Sequence, residues 1–332
     1  MKRSPVKLRE PTRRSGAYEL YWKFASERHQ AFEARIEGKP QPWTDNAILQ
    51  TFKFCNVFRA ADRVSQYMIR NVVYLDDDST VYDRIFQIVA FRTFSKISAW
   101  DDVIQQLGRS PRIHDLIDGT FENALTSIKE SGAKLYTGAF ILCATDYYGR
   151  QKKHLNHVEL FKQMFAKDFL AERILESQSL EGMYGILHLF PLMGDFMSYQ
   201  IAIDLNYSEL FKFSENDFTQ PGPGAMRGIR KVFSDLGDFT PRDCIMWMVD
   251  NQNREFERLG LEFNGLWGRP IHAIDAQSLF CETDKYCREA IPELRSARKR
   301  IKATFKPSDE KLDVFFPPKW DLSINSCFKT IH

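Results

Sequence analysis

The chain has 332 residues, with 46 Lys and Arg against 44 Asp and Glu, and 43% of its side chains are hydrophobic. That apolar fraction closes a large core and excludes wholesale disorder, and the length suits one large or two medium domains. The longest apolar run, 185–193, already contains His188 and Pro191. It falls far short of the roughly 18 residues a membrane span needs, so no membrane partner is expected.

The basic N-terminus has no apolar stretch behind it and does not read as a secretory signal. Cys55, Cys143, Cys244, Cys281, Cys287 and Cys327 form no CxxC pair. Cysteines this sparse predict a reducing, cytoplasmic setting with buried thiols rather than a disulfide scaffold. Charge is uneven: residues 1–14 and 288–306 each carry a local balance of +5. Two basic ends on a near-neutral body suit a phosphate-backbone partner, or simply a solvated surface.

In chain order, residues 1–16 read as a flexible basic arm. A helix over 18–37 repeats Tyr21, Phe24, Ala25, Arg28 and Phe32 at helical spacing and stops at Gly38. Apolar residues at helical intervals predict one long helix over 47–74, and another follows over 81–94. Shorter helices are expected at 100–107, 113–117, 120–131, 154–165 and 169–176. Residues 136–144 are the best strand candidate, with helix as the alternative. Residues 180–205 form two helices around Pro191-Leu192-Met193-Gly194, and further helices fall at 224–236, 242–259, 277–290 and 294–304. No neighbouring segments alternate strictly, so the fold class is all-α. The expected organisation is one helical body over 17–306, with the hairpin at about 185–205 and an extended segment, 307–332, packed on it.

Several patterns bear on chemistry. Gly222-Pro223-Gly224-Ala225-Met226-Arg227-Gly228-Ile229-Arg230-Lys231 has the wrong spacing for a P-loop, which argues against nucleotide hydrolysis. Gly222 and Gly224 before a helix carrying Arg227, Arg230 and Lys231 nevertheless have the form of an anion site, or of an ordinary loop and basic face. The hairpin at 189–199 offers Gly194, Phe196 and Ser198 to a DNA backbone through helix N–H groups, and an ordinary αα-hairpin is the alternative. Lys53, Arg59, Asp62, Arg63 and Arg70 fall on the long helix. Arg59, Arg63 and Arg70 share a face there, lining either an anion cleft or a buried Arg–Asp pair. Asp275, Glu282, Asp284 and Lys285 sit near a helix start, where acidic side chains suit the dipole. His154 and His157 lack a third ligand, so no metal is expected, and no cofactor is called for.

Asp217, within Phe213-Ser214-Glu215-Asn216-Asp217-Phe218, follows Gly194 by 23 residues. This arrangement resembles the helix-hairpin-helix DNA glycosylase superfamily, in which an active-site aspartate follows the hairpin and faces a flipped nucleotide. The usual first glycine of that hairpin is Leu192 here. The lysine of lyase-type members falls near Phe196, so strand cleavage is not implied. A broader resemblance rests on Trp43-Thr44-Asp45, the run from Lys53 to Tyr67, the Phe213–Phe218 motif, Gly222-Pro223-Gly224-Ala225 and Phe280-Cys281-Glu282-Thr283-Asp284-Lys285-Tyr286. These are similar to the alpha-glutamyl/putrescinyl-thymine pyrophosphorylase family of phage DNA hypermodification. Closely similar domains are labelled the helical domain of 5-hydroxymethyluracil DNA kinase.

The resemblance implies a glycosylase-like fold of two helical lobes with a cleft. It implies an amino acid:DNA transferase acting on double-stranded DNA that carries phosphorylated 5-hydroxymethyluracil. A free amino acid such as glycine, or a polyamine, is the amine donor. The leaving group is phosphate or pyrophosphate, a 5-hydroxymethyluracil DNA kinase is the functional partner, and the modification protects phage DNA from restriction. Asp217 is then the catalytic base, with Glu215 second. Gly222, Gly224, Arg227, Lys231, Lys53, Arg59, Asp62, Arg63 and Lys285 bind phosphate or substrate. A glycosylase that excises a modified base, and a non-enzymatic helical DNA-binding partner of the kinase, are the alternatives.

Overall fold

The computed structural model describes residues 8–138, 146–295, 301, 303–308 and 312–326. Among them the backbone is mostly helical, with a single two-stranded antiparallel sheet. The chain divides into two compact units. One takes the described residues up to Asp62, from Thr219 to Val314 and from Asp321 on. The other takes Arg63–Phe218 and Phe315–Trp320.

The first unit opens with strand β1 (Thr12–Arg13), so the second half of the expected arm is laid down as structure; residues 1–7 lie outside the described residues. Helix α1 (Ala17–Ile36) follows Gly16, whose φ of 81° is left-handed and favours glycine. Its Tyr18, Tyr21, Trp22, Phe24 and Ala25 are buried. The large aromatic side chains among them contribute about 1.5–3 kcal/mol each on burial. Helix α2 (Ala47–Thr51) is capped by the Asn46 side chain, which accepts from the N–H groups of Ile48 and Leu49.

The long helix expected over 47–74 is not formed. After α2 the chain is extended, makes one 3-10 turn over Arg59–Ala61, and returns to helix as α3 (Arg63–Met68), which ends in a π turn over Ile69–Val73. The backbone donors of the break go to carboxylates instead of a helical ladder. Cys55 N donates to Glu282 Oε2 at 3.0 Å, Asn56 N to Asp62 Oδ1 at 2.8 Å, and Arg59 N to Asp275 Oδ1 at 2.9 Å. Apolar spacing alone does not reveal such partners.

The second unit continues with α4 (Val81–Phe94), α5 (Ile97–Leu107), α6 (Ile113–Ile117), α7 (Thr120–Glu130), α8 (Lys153–Phe161) and α9 (Leu170–Leu175). Two further helices, α10 (Leu180–His188) and α11 (Asp195–Asn206), complete it. Helix α4 is buried along almost its whole length, and its Arg92 pairs inside the core with Asp204 of α11, Nη2 to Oδ1 at 3.1 Å. The strand candidate at 136–144 lies mostly outside the described residues. His154 Nε2 is 3.2 Å from Thr126 Oγ1 and His157 Nδ1 is 2.7 Å from the Tyr136 hydroxyl. Both imidazoles are buried and partnered, and no metal-ligand group occurs among the described residues.

Back in the first unit, α12 (Pro223–Val232) is shorter than expected. It gives way to β2 (Phe233–Asp235), which pairs antiparallel with β1. Helices α13 (Pro241–Arg258) and α14 (Ala273–Ala290) complete the unit. The helix expected at 294–304 lies mostly outside the described residues; of those described, Leu294 ends a 3-10 turn over Pro292–Leu294 and Thr304 bridges to Phe52. Of the C-terminal segment, Phe315 donates its N–H to Gln66 Oε1 at 2.7 Å within the second unit. No helix among the described residues is long and apolar enough to cross a membrane.

Candidate functional site

Helices α10 and α11 are joined by a turn around Pro191 and Gly194, in the second unit. Gly194 is the N-cap of α11. Leu192 takes φ +66°, the left-handed conformation that glycine adopts without penalty. The loop is closed from inside: Met193 O accepts from His188 Nδ1 at 3.0 Å and from Ser198 Oγ at 3.1 Å. Ser198 is fully buried, so its expected role on a DNA backbone is withdrawn. Phe196 is half-buried, whereas Gly194 and Asp195 are exposed. Leu189, 71% exposed, projects from the same turn.

Beyond α11 the chain is held in place by two devices. The Asn206 amide clasps Phe213, donating to its carbonyl at 3.0 Å and accepting from its N–H at 3.2 Å. Lys319 Nζ donates to the carbonyls of Ser208 at 2.8 Å and Phe211 at 2.6 Å, and also to Asn206 O. A charged donor on free carbonyls at a helix C-terminus satisfies groups the helix leaves open. The turn then runs Ser214 to Phe218, with Asp217 N donating to Ser214 O at 3.2 Å.

Phe218 packs against the hairpin itself, its ring 4.9 Å from Tyr184 of α10 and 5.9 Å from Tyr199 of α11. Tyr184 in turn stacks on His188 at 5.4 Å and donates to Asp195 Oδ1 at 2.9 Å. Asp217 is thus tethered beside the hairpin and exposed, while Glu215 is buried. Of the two carboxylates, only Asp217 is exposed.

The first unit handles the remaining candidates differently. Helices α12 and α14 approach so closely that a β-carbon on Gly224 would sit 2.2 Å from Cys281 Sγ. Gly224 therefore serves helix packing rather than an open anion loop, and Gly222 is the N-cap of α12. Lys231 is buried: its Nζ lies 2.9 Å from Asp284 Oδ1 and donates to the Asp284 carbonyl at 2.9 Å. Arg227 Nε donates to Asp284 Oδ2 at 3.1 Å, and Arg288 to the same oxygen at 2.7 Å. Burial alone would raise the Asp284 pKa, but Lys231, Arg288 and Arg227 outweigh it and hold the carboxylate below its ordinary value.

A second cluster surrounds residues 53–62. Lys285 Nζ pairs with Glu282 Oε2 at 2.9 Å and lies 4.4 Å from the centre of the Phe54 ring. Arg28 donates to the Cys55 carbonyl at 3.1 Å and to the Asn56 side chain. Arg59 is buried and Lys53 is exposed. Arg59 and Asp62 belong to the first unit, Arg63 and Arg70 to the second, so the arginine stripe expected on one helix face does not exist. Sequence reasoning gave Arg28 a place on the stripe of the first helix and no role at residues 53–62. It also placed Glu282 and Asp284 at a helix start, whereas α14 begins at Ala273 and both lie in its buried middle.

A family model described as "5-hmdU DNA kinase, helical domain" matches residues 15–296. The chain is also 27% identical over 306 residues to a 5-hmdU DNA kinase of Bacillus phage SP10; the alignment takes in 84% of this chain and 46% of that protein. The chain thus spans less than half the length of that relative. No solved structure matches.

Proposed function

Because the chain belongs to the family of 5-hmdU DNA kinase helical domains, we propose that it acts on 5-hydroxymethyluracil-derived nucleotides in double-stranded DNA, as part of thymidine hypermodification. Its reaction is amine transfer. A 5-phosphomethyl group on the uracil loses its phosphate, and an amino acid or polyamine takes its place.

The observation that carries this reading is the position of Asp217, exposed and fixed through Phe218 to both helices of the hairpin. In the step itself Asp217 accepts a proton from the donor ammonium. The freed nitrogen lone pair forms the bond to the 5-methylene carbon. The carbon–oxygen bond breaks, and phosphate departs with its electron pair. Placement of such a base is worth about 10²–10⁴ in rate. The target base must leave the stack first, at a cost of a few kcal/mol, which backbone contacts at the exposed hairpin turn offset.

The test is mass spectrometry of nucleosides from phosphomethyl-uracil DNA treated with the protein and a panel of amines. An adduct that disappears in Asp217→Asn, with DNA affinity retained, supports the assignment. Equal activity in that variant defeats it, and abasic sites would make the protein a glycosylase. The name of the relative favours a second reading, in which the chain presents DNA to a kinase activity. That reading predicts DNA binding with no adduct from any donor.

A further inference from the structure

Two carboxylates of the first unit are fully buried, and each is ringed by cations. Glu255 of α13 lies 3.2 Å from Arg13, 3.3 Å from Arg254 and 2.8 Å from Arg258. Asp284 of α14 holds Arg227, Lys231 and Arg288. One cation neutralises a buried carboxylate; among the described residues each of these has three. Glu19, the next carboxylate to act on Arg258, still leaves the Glu255 cluster positive.

The two clusters are joined through consecutive residues. Arg13 reaches Glu255, while Arg14 donates to the α12 carbonyls of Lys231 at 2.8 Å and Arg230 at 3.3 Å, and its N–H to Val232 O. The basic N-terminal end is thereby drawn onto the helix whose Lys231 and Arg227 serve the second cluster. Exposure differs between them. Arg254 is 60% exposed, Arg258 41% and Arg13 35%, while Lys231 and Arg288 are under a tenth exposed.

We propose that the Glu255 cluster is a pre-ordered phosphate-backbone contact for duplex DNA, and that the buried Asp284 cluster adds to its positive field. The proposal rests on the DNA-acting reading above and locates a binding surface in the first unit. Each guanidinium has five N–H donors in a fixed fork. Glu255 engages only part of each fork and holds its direction, so little side-chain freedom is left to lose when a phosphate binds. The remaining donors of Arg254 and Arg258 face solvent. Arg13 is further braced over the rings of Tyr18 at 4.8 Å and Trp247 at 5.1 Å.

The experiment measures affinity of the full chain for a short DNA duplex against salt concentration. Arg254→Gln with Arg258→Gln is expected to flatten the log–log salt slope by about 1.8, since each phosphate contact contributes about 0.9. Arg254→Gln alone, at the most exposed position, should flatten it by about 0.9 and does not depend on Arg258 for folding. Lysine at both positions should keep the slope. Unchanged slopes in the glutamine variants, with the wild type binding DNA, overturn this inference and leave the hairpin reading intact. No binding by the wild type overturns the DNA-acting reading itself. Tighter binding to an RNA duplex of the same sequence overturns DNA as the occupant.

Discussion

Gly228 of α12 lies so close to Phe280 of α14 that a β-carbon on it would stand 1.9 Å from the Phe280 carbonyl oxygen. Four residues earlier, Gly224 makes the same kind of approach to Cys281. The two glycines turn one face of α12 into a flat surface, and this contact carries Arg227 and Lys231 onto Asp284. Gly228→Ala meets rigid backbone and should cost about 3 kcal/mol or more. Gly224→Ala meets a side chain, so the thiol has room to respond. Adding Cys281→Ala should recover part of the loss, with a coupling of about 1 kcal/mol in denaturant midpoints. Strict additivity of the two changes would refute the packing account.

Leu192 gives a test of the hairpin turn. Its φ of +66° suits glycine and strains a branched side chain most. The left-handed conformation costs an ordinary residue roughly 1–2 kcal/mol. Leu192→Gly should therefore leave the melting temperature unchanged or raised, whereas Leu192→Val should lower stability by about 1 kcal/mol. The reverse order of the two variants would show that the leucine side chain, not the backbone, governs this turn.

Which parts of this were legible in the sequence follows from where the backbone bonds go. Helix α4 begins where its pattern says, because Thr80 and Asp83 cap its N-terminus locally through a reciprocal pair of bonds. The turn between α10 and α11 was legible for a different local reason, the punctuating residues Pro191 and Gly194. The break between α2 and α3 was not. Its N–H groups are taken by Glu282 and Asp275, more than two hundred positions away, and no local signal marks them. Glu255 and Asp284 were equally hidden. Each reads as an ordinary polar residue of an amphipathic helix until packing shows three cations on it. The two-unit division at Asp62 falls in no stretch rich in Gly, Pro or Ser.

Asp62 predicts an inverted pH response. Burial raises its pKa from 3.8 to about 6, although the Asn56 N–H and Arg28 pull the other way. The folded chain then holds this proton more tightly than the unfolded one. The resulting stability is fully present below about pH 4 and is lost as pH rises through about 6. Asp62→Asn keeps an oxygen to accept from Asn56 and removes the buried charge. It should stabilise the protein at pH 7.5 by about 1–3 kcal/mol and have little effect at pH 4. Urea midpoints at the two pH values decide this, and a loss of stability at pH 7.5 would contradict it.

His157 and His29 act in the opposite direction. Burial is the main cause in both, pushing His157 down to about 3 and His29 to about 4. Lys153 and His154 press further on His157, and its Nδ1 faces the Tyr136 hydroxyl at 2.7 Å. In the unfolded chain both imidazoles take up protons near pH 6.5, and the folded chain refuses them. The stability they contribute is present above about pH 6.5 and lost as pH falls toward 3–4. Each histidine should add a slope of about 1.4 kcal/mol per pH unit over that window. Asp62 has the opposite slope between pH 4 and 6, so the measurement belongs in an Asp62→Asn background. There, His157→Phe should lower stability at pH 7 through the lost Tyr136 bond, yet flatten the decline between pH 6 and 4. An unchanged decline would mean that His157 is protonated in the folded protein.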